Sequence, residues 1–378
     1  MLLRSRSVPG NQFDLLVDGE ECAQAILAAI DAAEHYILVE HYLVEPGYFS
    51  AALFRALHRA AERGVQVRVV LDHFGSLGVI GLVRELLDHP GIQVVWFNPI
   101  QMIKWVANLR RDHRKFIQID QQAAFVGGFC ITDRFWPGPN SLQREEDNAA
   151  SWLDVAVRIQ GPVLIHWREQ FCCIWQRIAG EPLVLPGLFM DRCGSMTGRA
   201  AWAEGHLHQG ILREFLARAR KAQERIYIAT PYFAPSWRIR RMLMRAAQRG
   251  LDVRVLLPGP EMDHAGVRYA GWRYYKRLLR HGVRIYEFQP RFIHAKMIVC
   301  DDWCSIGSCN LDHWNQRWNL EGNQEIDDAG FARDVVALFQ DCFELSEEQL
   351  LKDWLKPYWR RRWLAYFWGR VDAWLMRL

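Results

Sequence analysis

At 378 residues, half of them hydrophobic, the chain is long enough for two domains of ordinary size or one large duplicated unit, with a substantial core. A formal charge of only +4 gives no sign of the broad basic surface of a protein that lives on nucleic acid, while leaving local patches open. Nine cysteines, an odd number with no paired C-x-x-C spacing, argue against a disulfide framework or a zinc site and for a reducing compartment.

The first residues, Met1-Leu-Leu-Arg-Ser-Arg-Ser-Val-Pro9, have no signal-like apolar core, and nowhere do about eighteen apolar residues run together as a membrane span requires. A strand at Leu15–Val17, a turn at Asp18-Gly19, a helix through Ala23–Ala33 and a strand Tyr36–Glu40 open the chain. A helix over Phe49–Arg63 stops at Gly64, and the alternating strand Val65–Leu71 follows. A helix around Leu82–Leu87 leads to the strand Gly91–Pro99, so strand and helix alternate as in an α/β sandwich.

After a basic connector, Asn108–Asp112, comes His113-Arg-Lys115-Phe-Ile-Gln-Ile-Asp120, followed by Gly127-Gly128. In an extended chain His113 and Lys115 project to the same side, so an imidazole and an ammonium share one cleft. The order then restarts. Ala246–Leu257 repeats Ala60–Leu71, and Gly282–Pro290 repeats Gly91–Pro99. His294-Ala-Lys296-Met-Ile-Val-Cys-Asp301 then repeats the first motif and leads into Gly307-Ser308-Cys309-Asn310 and Glu321-Gly322-Asn323. Three landmarks in the same order imply an internal duplication. The halves are expected at residues 13–180 and 206–346, with an irregular linker at 181–205 where Pro182, Pro186, Gly187, Gly194 and Gly198 interrupt any period.

The paired His-x-Lys-x4-Asp motifs resemble the phospholipase D superfamily over roughly residues 14–345, and the surrounding segments are similar to those of bacterial cardiolipin synthases. These segments include Leu16–Glu20, Val39-Glu-His-Tyr42, Asp154–Pro162, Pro231-Tyr-Phe-Ala-Pro235 and Gly307–Asp312. The resemblance implies a duplicated α/β/α sandwich whose pseudo-twofold-related halves share one active site. It also implies a phosphatidyltransferase that makes cardiolipin from phosphatidylglycerol and a second phospholipid, phosphatidylethanolamine being one candidate acceptor. Phospholipid hydrolysis and nuclease activity are the alternatives within the superfamily. One departure stands out: Gly127-Gly128-Phe129-Cys130 has a cysteine where that pattern has asparagine, whereas the second half keeps Asn310.

A phosphodiester repels nucleophiles, so its site needs positive charge and a nucleophile that is unprotonated near neutral pH. Histidine attack, with Lys115 and Lys296 on the non-bridging oxygens and the second histidine protonating the leaving alkoxide, meets both needs with no metal or other cofactor. By resemblance His113 is the nucleophile, although the symmetry of the motifs leaves the choice open. Also by resemblance, Asp154 is expected to orient His113 and Glu321 to orient His294, since a carboxylate on the second ring nitrogen fixes the tautomer. Ser308, Asn310, Gly127, Gly128 and Asn323 are the candidate phosphate-binding positions, and Asp120 and Asp301, at strand ends, are assigned to turns.

The last segment, 351–378, places aromatic and aliphatic residues from Leu355 to Leu378 at helical spacing among arginines. Trp359, Arg360, Arg361, Arg362, Trp363 and Trp374 fit an interfacial helix on anionic lipid; a helix packed on the protein body is the alternative. Together these features predict a peripheral protein on the cytoplasmic face of the cell membrane, with anionic phospholipid and no nucleic acid as partner.

Overall fold

The computed structural model describes residues 5–139, 151–187, 191–312, 317–356 and 359–375. They form two compact units: residues 1–201 with 306–308 and 320–326, and residues 202–305 with 309–319 and 327–378.

The first unit runs β1 (Val8–Val17), α1 (Gly19–Asp31), β2 (Tyr36–His41), α2 (Tyr48–Glu62), β3 (Gln66–Asp72), α3 (Ile80–Leu86), β4 (Ile92–Phe97), β5 (Lys115–Ile119), β6 (Ala123–Gly127), β7 (Val155–Gln160), α4 (Leu164–Ala179) and β8 (Met196–Glu204). The second contains β9 (His208–Gln209), α5 (Gly210–Lys221), β10 (Arg225–Ala229), α6 (Trp237–Gln248), β11 (Asp252–Pro258), α7 (Ala265–Arg280), β12 (Arg284–Phe288), β13 (Met297–Cys300) and β14 (Trp303–Gly307). The strand β15 (Leu320–Asp327) returns to the first unit, after which α8 (Ala329–Glu344), β16 (Ser346–Glu348), α9 (Leu351–Leu355) and α10 (Trp359–Leu375) complete the second.

In the first unit the strand order is β15-β8-β1-β7-β6-β5-β2-β3-β4, with β2, β3 and β4 parallel and β5 antiparallel to β2. One face, through Ile37, Val39, Val67 and Ile117, is covered by Ile26 and Ile30 of α1 and Leu53 and Leu57 of α2. Each such side chain is fully buried and contributes about 1.5–3 kcal/mol. The other face carries Phe116, stacked on Trp167 of α4 with centroids 5.4 Å apart. The second unit repeats the plan as β16-β12-β11-β10-β13-β14. Its helices α5 and α6 cover Ile226, Ile228 and Val255, while Tyr227 on the opposite face meets Phe339 of α8.

The duplication is visible atom by atom. Both α2 and α6 end in Arg-Gly, and Gly64 and Gly250 take φ of 93° and 95°, a left-handed conformation that glycine adopts without cost. The arginine before each glycine reaches back to the neighbouring helix: Arg63 donates to Ile30 O and Ala33 O, and Arg249 to Ala219 O and Ala222 O. These capped carbonyls are groups a helix cannot satisfy internally.

Two sequence expectations change. The segment 181–205 is not irregular throughout, because β8 occupies its end and pairs with β1. The tail is indeed helical over Trp359–Leu375, and α10 packs along α7: Arg273 Nη1 donates to Gly369 O at 2.7 Å, and a Cβ at Gly266 would stand 2.6 Å from the Trp368 ring.

Candidate active site

Each motif begins just ahead of its strand. His113 and Lys115 enter β5, and His294 and Lys296 enter β13. All four are buried, His113 being the most accessible at 9%. The strand turns are held by the motif aspartates, as expected. The Asp120 carboxylate accepts from the amides of Glu34, His35 and Tyr36 at 2.7–2.9 Å. Asp301 likewise accepts from Gln223, Glu224 and Arg225 at 2.8–3.0 Å. Both aspartates sit at positive φ, 50° and 52°. Each therefore fixes the start of the parallel strand beside its motif.

In the first unit the backbone at His113 joins the start of β15. His113 N donates to Leu320 O at 2.9 Å, and Leu320 N donates to Arg111 O at 2.8 Å. This brings Glu321 onto the catalytic histidine candidate, with Nδ1 of His113 3.0 Å from Oε1 and 3.1 Å from Oε2. Glu321 is thus the carboxylate on His113, where the sequence reading had put Asp154 there and Glu321 on His294. The backbone pairing with β15 settles the matter, since residue 320 is bonded on both sides of Asp112.

Ser308 serves that carboxylate. Its hydroxyl donates to Glu321 Oε2 and accepts from Gly322 N at 3.0 Å. Gly307 lies so close to β15 that a Cβ there would stand 2.2 Å from Gly322 O and 2.6 Å from the Asn323 Cα. Gly127 meets Val155 O in the same way, and a Cβ at Gly128 would stand 2.5 Å from the Asp154 carboxylate, whose Oδ1 also accepts from Val155 N at 2.8 Å. The glycines let each hairpin close onto the strand that bears an acidic residue, a packing need distinct from the phosphate contact expected of them.

Lys115 Nζ donates to His113 O at 2.6 Å and lies 5.2 Å from the centroid of Tyr42, whose ring is 4.8 Å from that of His113. In the second unit Lys296 Nζ donates to His294 O at 2.5 Å and stands 2.9 Å from the imidazole nitrogens. The Tyr232 ring lies 6.4 Å from that of His294, and Tyr232 donates its hydroxyl proton to Asp263 at 2.5 Å. A tyrosine flanks each histidine, and both occur in segments noted for their resemblance without an assigned role. Asn310 is buried, with neither amide atom hydrogen-bonded among the described residues. An unsatisfied buried amide costs about 1–3 kcal/mol, a penalty that a bound anion's oxygen would remove. Its counterpart Cys130 is part of the apolar core instead.

Sequence reasoning missed the support beneath the first motif. Arg114 is fully buried, 2.6 Å from Glu40 and bidentate to Asp112 at 2.9 Å. Burial pushes the Glu40 carboxyl well above its usual range, whereas Asp112, also opposed by burial, is held below it by Arg114. Next to them Asp72 accepts from Asp112 N at 2.9 Å and pairs with Arg111 at 3.3 Å, burial raising it to about 6. The lone acid Asp112 among the basic residues of Arg110–Lys115 was the available signal. His41 lies across from Lys115 on β2, with both nitrogens buried and unpartnered among the described residues, and burial lowers its pKa to about 3. Among the described residues no group of three or more His, Cys, Asp or Glu is arranged to hold a metal. Cys300 and Cys304 are buried with thiols pushed up by burial, as apolar fillers are.

The tail residues divide. Trp363 is 57% exposed, with Tyr366 and Phe367 exposed beside it, while the side chains of Trp359, Arg360, Arg361, Arg362 and Trp374 lie outside the described residues.

Comparison with known proteins points to one family. A family model described as "Cardiolipin synthase, PLD-like domain" matches twice, at residues 26–155 and 215–343. Cardiolipin synthase A of Pseudomonas entomophila is 33% identical over 93% of this chain and 72% of its own length, and that of Klebsiella pneumoniae is 30% identical over 94% and 74%. In fold the chain is similar to the crystal structure of phosphatidylserine synthase from Haemophilus influenzae, with a TM-score of 0.72 at 14% identity, covering 97% of this chain and 95% of that one.

Proposed function

Because the chain belongs to the family of cardiolipin synthases with phospholipase D-like domains, and is a phosphatidyltransferase of that superfamily, we propose that it joins phosphatidylglycerol to a second phospholipid, with His113 carrying the phosphatidyl group between them. The observation that carries this reading is the Glu321 carboxylate on Nδ1 of His113. A carboxylate at Nδ1 keeps the proton there, so the lone pair is on Nε2, the nitrogen left to attack phosphorus.

In the first step Nε2 of His113 bonds to phosphorus, the bond from phosphorus to the glycerol oxygen breaks, and His294 gives that oxygen its proton. Lys115 and Lys296 offset the charge on the non-bridging oxygens, and Asn310 supplies an amide. In the second step His294 removes the proton from a free headgroup hydroxyl of the acceptor, a second phosphatidylglycerol, the new oxygen–phosphorus bond forms, and the bond from phosphorus to Nε2 breaks. Free glycerol and cardiolipin leave, and both histidines return to their starting state. Both motifs act on one phosphate in this scheme.

The lipid substrates place the reaction at a membrane. No helix among the described residues is long and apolar enough to cross one. The reading therefore has the protein bound peripherally on the cytoplasmic face, with the exposed Trp363, Tyr366 and Phe367 of α10 in the interface. The test is mass spectrometry of lipids after incubating the purified protein with phosphatidylglycerol, with and without phosphatidylethanolamine. Cardiolipin plus free glycerol is the expected outcome; phosphatidic acid alone would make the protein a hydrolase.

A further inference from the structure

In the duplicated fold α1 with α2, and α5 with α6, form equivalent helix pairs on the two units, and their charges differ sharply. The helices α1 and α2 carry more acidic than basic residues, and Arg59 is paired with Asp31. By contrast α6 contains four arginines and no acidic residue, and α5 ends in Arg218, Arg220 and Lys221. A groove of about 470 Å³ lies along α5 and α6, with an apolar floor of Leu216 and Met242 and a rim of Arg220, Arg238, Arg241 and Arg245. All four arginines are exposed, and none is in an ion pair among the described residues. Nothing in the core needs them. Arg249, also on the rim, has the capping role described above.

The position of the row matters as much as its charge. The helix α6 follows Tyr232 by a few residues, and the ring of Tyr232 faces that of His294, so the arginines start at the catalytic end of β10. From Arg238 through Arg241 to Arg245 they repeat at helical spacing of three and four, one stripe along a helix about 18 Å long. At its start Trp237 is 57% exposed, with Arg241 5.9 Å over its ring. A stripe of unpaired guanidinium groups beside an exposed tryptophan matches the boundary of an anionic bilayer, where phosphates meet the cations and the indole settles at headgroup depth.

We propose that the Arg238–Arg241–Arg245 stripe with Trp237 is a docking surface for an anionic phospholipid bilayer, separate from the tail helix and leading to the second motif. The choice of lipid rests on the phosphatidyl-transfer reading above.

The experiment uses the full chain carrying His113→Ala, so that lipid is bound without being consumed, and vesicles of phosphatidylcholine with or without phosphatidylglycerol. Arginines near such a surface are worth about fivefold each, so Arg238→Gln/Arg241→Gln/Arg245→Gln is expected to weaken partition onto phosphatidylglycerol vesicles roughly a hundredfold. It should also flatten the salt dependence and leave the weak binding to pure phosphatidylcholine unchanged. The matching triple lysine variant should stay within about threefold of the parent, because charge near the surface carries the effect. Should the glutamine triple fail to fold, the single Arg241→Gln, at about fivefold, gives the same test. A glutamine variant that binds like the parent overturns the proposal, as does a lysine variant as weak as the glutamine one. So does a parent that prefers an RNA oligonucleotide to the vesicles at equal ionic strength. Binding is read here without turnover, whereas absence of cardiolipin from the unmutated chain would count against the proposed reaction alone.

Discussion

Glu321 holds both carboxylate oxygens within 3.1 Å of Nδ1 of His113, a residue 208 positions earlier in the chain, and Ser308 fixes the carboxylate from below. Glu321→Gln keeps the shape and removes the charge, so the imidazole can take the wrong tautomer. The expected result is a kcat lower by about 10²–10⁴ with KM little changed, measured by release of labelled glycerol from phosphatidylglycerol. An equal loss through KM would instead make Glu321 a substrate contact.

The two histidines should separate in a trapping experiment. His113→Ala is expected to form no phosphoenzyme from any substrate. His294→Ala should still form one from an activated p-nitrophenyl phosphodiester, whose leaving group needs no proton, and should then stall for want of a base. Peptide mapping of acid-labile phosphate is the measurement, with label expected on His113. A labelled intermediate in His113→Ala would reverse the roles.

The turn aspartates predict a loss of stability. Removing the carboxylate at Asp120 or Asp301 strands three amides that now donate to it. Asp120→Ala should cost about 2–4 kcal/mol in urea unfolding, with Asp120→Asn recovering part of it, since asparagine keeps an acceptor and tolerates positive φ. Unchanged stability with lost turnover would move Asp120 into the chemistry.

His41 gives the protein an acid sensitivity of its own. Burial, with Lys115 adding to it, lowers the folded-state pKa to about 3, below the value near 6.5 of an unfolded histidine. Below pH 6.5 the unfolded chain takes up a proton that the folded one refuses. The associated stability is therefore complete above pH 6.5 and is lost as pH falls towards 3. His41→Phe sacrifices no hydrogen bond seen in the structure, because neither nitrogen has a partner among the described residues. The difference in unfolding free energy between variant and parent should grow in favour of the variant by about 1.4 kcal/mol per pH unit between 6 and 4. A constant difference would show that His41 charges without penalty.

Local features of the sequence translated directly into structure. The Arg-Gly stops of α2 and α6, the alternating strands and the motif turns each depend on neighbours a few residues away, and periodicity reports such neighbours. The partner of His113 was not legible, because Asp154 and Glu321 both stand at strand starts after Gly-Ser or Gly-Gly hairpins. Which of them meets which histidine depends on the pairing of residue 320 across Asp112. The strand β8 was obscured for another reason: glycines and prolines surround a segment whose partner, β1, lies almost the whole unit away. The Glu40–Arg114–Asp112 cluster combines groups that composition counts as solvent-facing, and only burial reveals it.

The return of β15 to the first unit also sets an order in time. A ribosome must translate past residue 321 before His113 acquires its carboxylate, so the nascent first half holds a histidine that is not yet tuned. Contacts this distant along the chain close late and slow folding. Catalytic competence thus waits on the second half of the chain, by which point the arginine stripe of α6 has already been made. A cut in the segment 181–195 would leave Glu321 and His113 on separate fragments that must reassociate to work, and mixing the two separately produced pieces should restore turnover that neither shows alone.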